Sequence, residues 1–139
     1  MNLQWIGLAA ATSTFFGVWF GHVAVRKIES ITANIWLPAL VAALGGLTFV
    51  GFSLASSVRS ISATLGILGI TLLWDSFEFL RQQNRVRKGH APANPKNPRH
   101  AYLLAQNPSA TTIDWLVDRI PTNHPLTPVE LHKIEEGAA

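Results

Sequence analysis

The stretch ISATLGILGITLLWDSFEFLRQQNRVRKGHAPANPK, residues 61–96, decides the fold. From Ile61 to Trp74 it is apolar and small, without a charge. Asp75 and Glu78 follow, then Arg81, Arg85, Arg87 and Lys88, and finally prolines. An apolar helix that runs into basic residues is the pattern of a membrane span leaving the bilayer on its cytoplasmic side.

Working outward, the overall composition of 48% hydrophobic residues conceals two unlike halves. Before Asp75 the only charged residues are Arg26, Lys27, Glu29 and Arg59, whereas seven of the eight prolines lie after it. The first half suits lipid and the second suits water. Two further stretches, about 3–25 and 35–56, join about 61–80 in reaching the roughly 20 residues that a helix needs to cross hydrocarbon. Each must be helical there, because lipid offers nothing to satisfy an open backbone. The apolar stretch from Leu3 is longer than a cleavable signal and has no preceding Lys or Arg, so it reads as a retained span.

The first connection carries Arg26 and Lys27, the second carries Arg59, and Arg81 to Arg99 holds six basic residues and no acid. The positive-inside rule therefore expects the N-terminus outside and the C-terminus in the cytoplasm. Arg26, Lys27, Arg81, Arg85, Arg87 and Lys88 are candidates for anionic lipid phosphates or a docked partner, each contributing about 1 kcal/mol near such a surface. Nucleic acid is not an expected partner, because the basic run has no aromatic side chain to stack on bases.

Small residues recur within the spans: Gly17 with Gly21, Ala42 with Gly46, and Ser62 with Gly66. This spacing lets helix backbones approach, either within the chain or against another subunit. Trp5, Trp19, Trp36 and Trp74 stand near span ends as interfacial anchors. Asn34 is placed to cap the second helix, and Pro38 falls in its first turn.

After residue 90 the reading changes to a cytoplasmic tail, 91–139. Pro92, Pro95 and Pro98 at every third position predict an extended strap over 91–100. Gly89 is placed to end the third helix. Two short amphipathic helices are expected, at about 112–120 and 128–136; Thr127, Pro128 and Glu130 form a capping box for the second. Pro92, Pro95, Ile113, Trp115, Leu116, Val117 and Ile120 are the candidate docking residues of the tail, since helices this short need a surface to lie against.

Chemistry is sparsely signalled. His22, Glu29, Asp75 and Glu78 form a candidate polar site at the cytoplasmic boundary, where ionisable groups are either neutralised or part of an ion path. The span centres offer only Thr12, Ser13, Thr14, Thr48, Ser53 and Thr71, and small hydroxyls usually bond back to their own helix. The remaining histidines lack metal-ligand spacing, and no phosphate loop or nucleophile elbow is present. No catalytic residue, metal or cofactor is expected; His22 as a haem ligand would need a second membrane histidine that the chain lacks. The absence of cysteine excludes disulfides and thiolate sites.

Leu73-Trp74, Glu78, Gln82, Arg85-Val86-Arg87-Lys88-Gly89 and Pro92-Ala93-Asn94-Pro95-Lys96, with Gly21-His22, Lys27 and Glu29 upstream, resemble a family of bacterial integral membrane proteins of about a hundred residues and unknown function. The resemblance covers residues 3–96. It departs at His90-Ala91, where the family pattern has aromatics, at Asp75, and in the extension after Pro98. It implies three spans and singles out His22, Glu29, Glu78, Arg85 and Pro92 to Pro95, but carries no activity.

The expectation is thus an all-α, three-span protein of a bacterial inner membrane, with its membrane domain at 1–90. Its expected role is a non-catalytic accessory or scaffolding subunit of a larger membrane complex, respiratory or otherwise energy-converting. The alternative is a small homo-oligomeric transporter or ion- or proton-conducting membrane protein using His22, Asp75 and Glu78.

Overall fold

The computed structural model describes residues 4–114, 117 and 127–137, all helix or irregular backbone. The helices are α1 (Trp5–Ile31), α2 (Trp36–Ala55), α3 (Arg59–Arg87), α4 (Pro98–Gln106) and α5 (Pro128–Gly137). The first three are each long and apolar enough to cross a membrane. They make this a multi-pass membrane protein.

α1 and α3 run past the spans expected from hydropathy. α3 has 29 residues, about 43 Å at 1.5 Å per residue against roughly 30 Å of hydrocarbon. Charged residues end the apolar pattern without ending the helix, because Glu, Lys, Arg and Gln are themselves good helix formers. Between α1 and α2 the Asn34 side chain accepts the Trp36 N–H at 3.0 Å.

The chain forms two compact units, Met1–Gln82 and Gln83–Ala139. In the first, α1 and α2 both pack on α3. Val25, Ile35, Ala39 and Phe79 form a buried cluster drawn from α1, the α1–α2 connection, α2 and α3. Elsewhere the contact is made by small residues. Gly17 lies against Leu68 and Thr71, and Gly21 against Asp75; Gly46 faces Gly69 and Leu73, and Gly66 faces Ser53. The small positions Gly17, Gly21, Gly46 and Gly66 are therefore occupied within the chain, where dispersion between close backbones replaces the missing hydrophobic drive. A pair of hydrogen bonds adds to the α2–α3 seam: Ser53 Oγ donates to the Ser62 carbonyl at 2.7 Å, and Ser62 Oγ donates to the Ser53 carbonyl at 2.9 Å.

The second unit begins inside the last turns of α3, ahead of the expected boundary at residue 90. The reason is Val86, fully buried with Ala91, Ala93 and Leu103. α3 ends in a Schellman motif: Gly89 N–H donates to Val86 O at 3.1 Å and His90 N–H to Arg85 O at 2.8 Å. Gly89 has φ +72°, and its Cα sits against the Ser109 carbonyl, so a side chain is excluded twice over.

The proline strap differs from expectation. The chain is irregular to Asn94, turns through Asn94–Asn97 with an Asn97 N–H to Asn94 O bond of 3.0 Å, and enters α4 at Pro98. Asn97 caps that helix, its side chain accepting the Arg99 N–H at 3.0 Å. The third proline of the triplet is thus a first-turn proline, where fixed φ favours a helix. His100, fully buried, accepts the Asn94 N–H on Nδ1 at 2.9 Å, and Ala93 N–H pairs with Thr111 O at 2.8 Å.

The expected helix at 112–120 does not begin where its cap suggests. Thr112, Ile113 and Asp114 are not helical, and the Thr111 hydroxyl accepts the Ile113 N–H at 3.1 Å in a local turn that competes with a helix start. Trp115, Leu116 and Ile120 lie outside the described residues. At α5, Thr127 N–H donates to Glu130 Oε2 at 2.8 Å and Glu130 N–H reaches Thr127 Oγ1 at 3.4 Å, the two halves of a capping box.

Candidate functional site

Asp75, Glu78 and Gln82 project from α3 at intervals of three and four, so they share one helical face. All three are buried, at 7%, 3% and 4% exposure, and so is Glu29 on α1 at 1%. Carboxylates persist inside a bundle only where neighbours or function compensate their lost hydration. Glu78 is 3.6 Å from Arg81 Nε, one turn on, and that guanidinium also lies over the Trp74 ring at 5.9 Å.

Asp75 is arranged differently. Its carboxylate occupies the room left by the missing side chain of Gly21; a Cβ there would stand 2.5 Å from Oδ2 and 2.8 Å from Oδ1. His22 and Glu78 are its titratable neighbours among the described residues. It accepts no hydrogen bond from the described residues. His22 itself is exposed, as are Arg26 and Lys27.

Asp75 borders a groove of about 370 Å³ whose walls come from all three spans, including Phe16 and Phe20 of α1, Phe49 of α2, and Leu68 and Leu72 of α3. Thr71 also lines it, with its hydroxyl donated to Ile67 O at 2.9 Å. A second groove, of about 550 Å³, lies between the other ends of α1 and α3, next to Trp5, Ser13 and Ser60.

The structure brings His22, Asp75 and Glu78 into one electrostatic neighbourhood. In the second unit Arg85 is half-buried and Arg87 and Lys88 are exposed. Of the tail candidates, Pro92 is half-buried, Pro95 and Val117 are exposed, and Ile113 is fully buried. No cluster of three histidine, aspartate or glutamate side chains capable of holding a metal occurs among the described residues. Gly69, Gln82's burial and the groove are not among the sequence expectations, although Gly69, three residues after Gly66, extends the small face of α3.

A family model described as Domain of unknown function (DUF4491) matches residues 4–97. The chain belongs to this family. No curated protein and no solved structure matches it. The DUF4491 domain takes in α1, α2, α3 and the turn that leads to α4, so the buried carboxylates and the groove lie within it, while α4 and α5 follow it.

Proposed function

We propose that this protein is a non-catalytic accessory subunit of a larger membrane complex, in a bacterial cytoplasmic membrane, with its N-terminus outside and its C-terminus in the cytoplasm. The observation that carries the reading is the outer face of α2. Leu40, Leu44, Leu47 and Leu54 are all more than half exposed and fall with Gly51 on one stripe of the helix. Apart from its own helix backbone, none of the described residues lies within 4 Å of where a Gly51 side chain would begin. A leucine stripe interrupted by an open glycine suits close packing against a partner helix. The exposed Arg87 and Lys88 supply a surface for anionic lipid or an acidic partner.

The competing transport reading is less well supported. Ser13, Thr14, Thr48 and Thr71 donate to carbonyls four residues back on their own helices, which leaves the middle of the spans without a chain of free donors. The accessory reading is tested by ending the chain after Asp114, which keeps the buried Ile113. Insertion should persist and co-purification of partner subunits should weaken; undiminished co-purification would count against a docking tail.

A further inference from the structure

We propose that the groove beside Asp75 binds an amphiphile with a primary ammonium head, held by the Asp75 carboxylate with its apolar body along the groove. The inference is independent of the accessory role and rests on three observations. First, Asp75 is more than nine-tenths buried, borders the groove and accepts no hydrogen bond from the described residues. A carboxylate in apolar surroundings is stabilised most by a donor that also carries positive charge.

Second, the groove is polar at one end only. Along α3 its wall passes from Asp75 to Leu72 and Leu68, seven residues or about 10 Å of helix rise. Along α1 it passes Phe20 and Phe16, with Phe49 contributed by α2. The groove runs along helices that cross the bilayer, its carboxylate near the charged boundary and its apolar length toward the centre. A molecule with a head and a tail matches that polarity.

Third, the walls exclude other ligand classes. One carboxylate among phenylalanines and leucines lacks the six or more oxygens that a hard divalent cation requires. A purely anionic head would meet the Asp75 carboxylate with no basic side chain in the groove's lining to offset it. A quaternary ammonium carries charge but no N–H for the carboxylate oxygens. The volume, about 370 Å³, lies within the range of small-molecule sites.

A primary ammonium head is offered by an aminophospholipid or by a free long-chain amine. The full-length chain is reconstituted in vesicles of equal phosphatidylethanolamine and phosphatidylcholine, and separately in phosphatidylcholine vesicles with a small admixture of dodecylamine. After stripping with mild detergent, the retained molecules are quantified by mass spectrometry. Phosphatidylethanolamine retained over phosphatidylcholine by on the order of tenfold, the scale of one charge-assisted hydrogen bond, identifies lipid as the source. Retention of dodecylamine without phosphatidylethanolamine identifies a free amine. In either arm Asp75→Asn should bring the retained ratio to that of the bulk. Ala24→Leu, which narrows the groove at a lining position and keeps the carboxylate, should do the same with unchanged circular dichroism. Bulk ratios in both arms for the unmodified chain, or enrichment that survives Ala24→Leu, would overturn the proposal.

Discussion

Gly46 and Gly69 meet back to back across the α2–α3 seam: a Cβ on Gly46 would stand 2.8 Å from the Gly69 carbonyl oxygen, and one on Gly69 would stand 2.9 Å from the Gly46 carbonyl oxygen. Both obstacles are backbone, which has no rotamer to yield. Gly69→Ala should therefore push the helices apart and cost about 1–3 kcal/mol, the range for overpacking. Thermal unfolding in detergent should show the loss, and Gly7→Ala, at a position with no described residue outside its own helix backbone within 4 Å, should not.

Ser53 and Ser62 hold the same seam by exchanging hydrogen bonds to each other's carbonyls. Each alanine substitution should cost about 0.6 kcal/mol, and at most about 1.7, as found for polar pairs between membrane helices. The double variant should cost less than the sum if each hydroxyl helps to orient the other. Strict additivity in a double-mutant cycle would show two independent bonds.

Gly89→Ala tests the second unit. The residue has φ +72° and abuts the Ser109 carbonyl, so alanine should cost at least the roughly 1–2 kcal/mol of a left-handed non-glycine residue. The loss should be local. Hydrogen exchange should accelerate across 86–111 and remain unchanged in α2.

Asn97→Ala should shorten α4 from its start, at about 1 kcal/mol for a lost cap. The expected signature is faster exchange of the Arg99 and His100 amides. Unchanged exchange at Arg99 would show that the 3.0 Å bond from its N–H to Asn97 contributes nothing.

The chain contains no cysteine, so single cysteines report topology without a background. Cysteines at Asn34 and His90 should be reached by a membrane-impermeant maleimide only from the cytoplasmic side, and those at Gln4 and Ser57 only from the opposite side. Labelling of Asn34 and His90 from opposite sides would contradict the three-span reading.

The three membrane helices were legible because lipid leaves the backbone no alternative and the hydropathy pattern is long. Gly89 was legible as a stop, because a glycine placed just after a helical run has few other uses. Helix α4 was not read, although Asn97 followed by Pro98 is itself a cap and first-turn signal; the period of three in Pro92, Pro95 and Pro98 suggested an extended chain instead. Tertiary packing accompanies the helix, which buries Leu103 and His100. At the site, Asp75 and Glu78 were visible as charges at the end of an apolar run. Their difference was not, because it depends on Gly21 of another helix: Glu78 meets Arg81 one turn along its own helix, whereas Asp75 fills the space beside a glycine.

The most direct measurement is purification of the native protein in mild detergent, with mass spectrometry of whatever remains attached at fixed stoichiometry. The accessory account expects the same membrane subunits in every preparation, lost when Gly51 is replaced by a bulky residue that blocks the leucine face of α2. A bare homo-oligomer, unchanged by that substitution, would contradict it and turn attention to flux through Glu78 and His22.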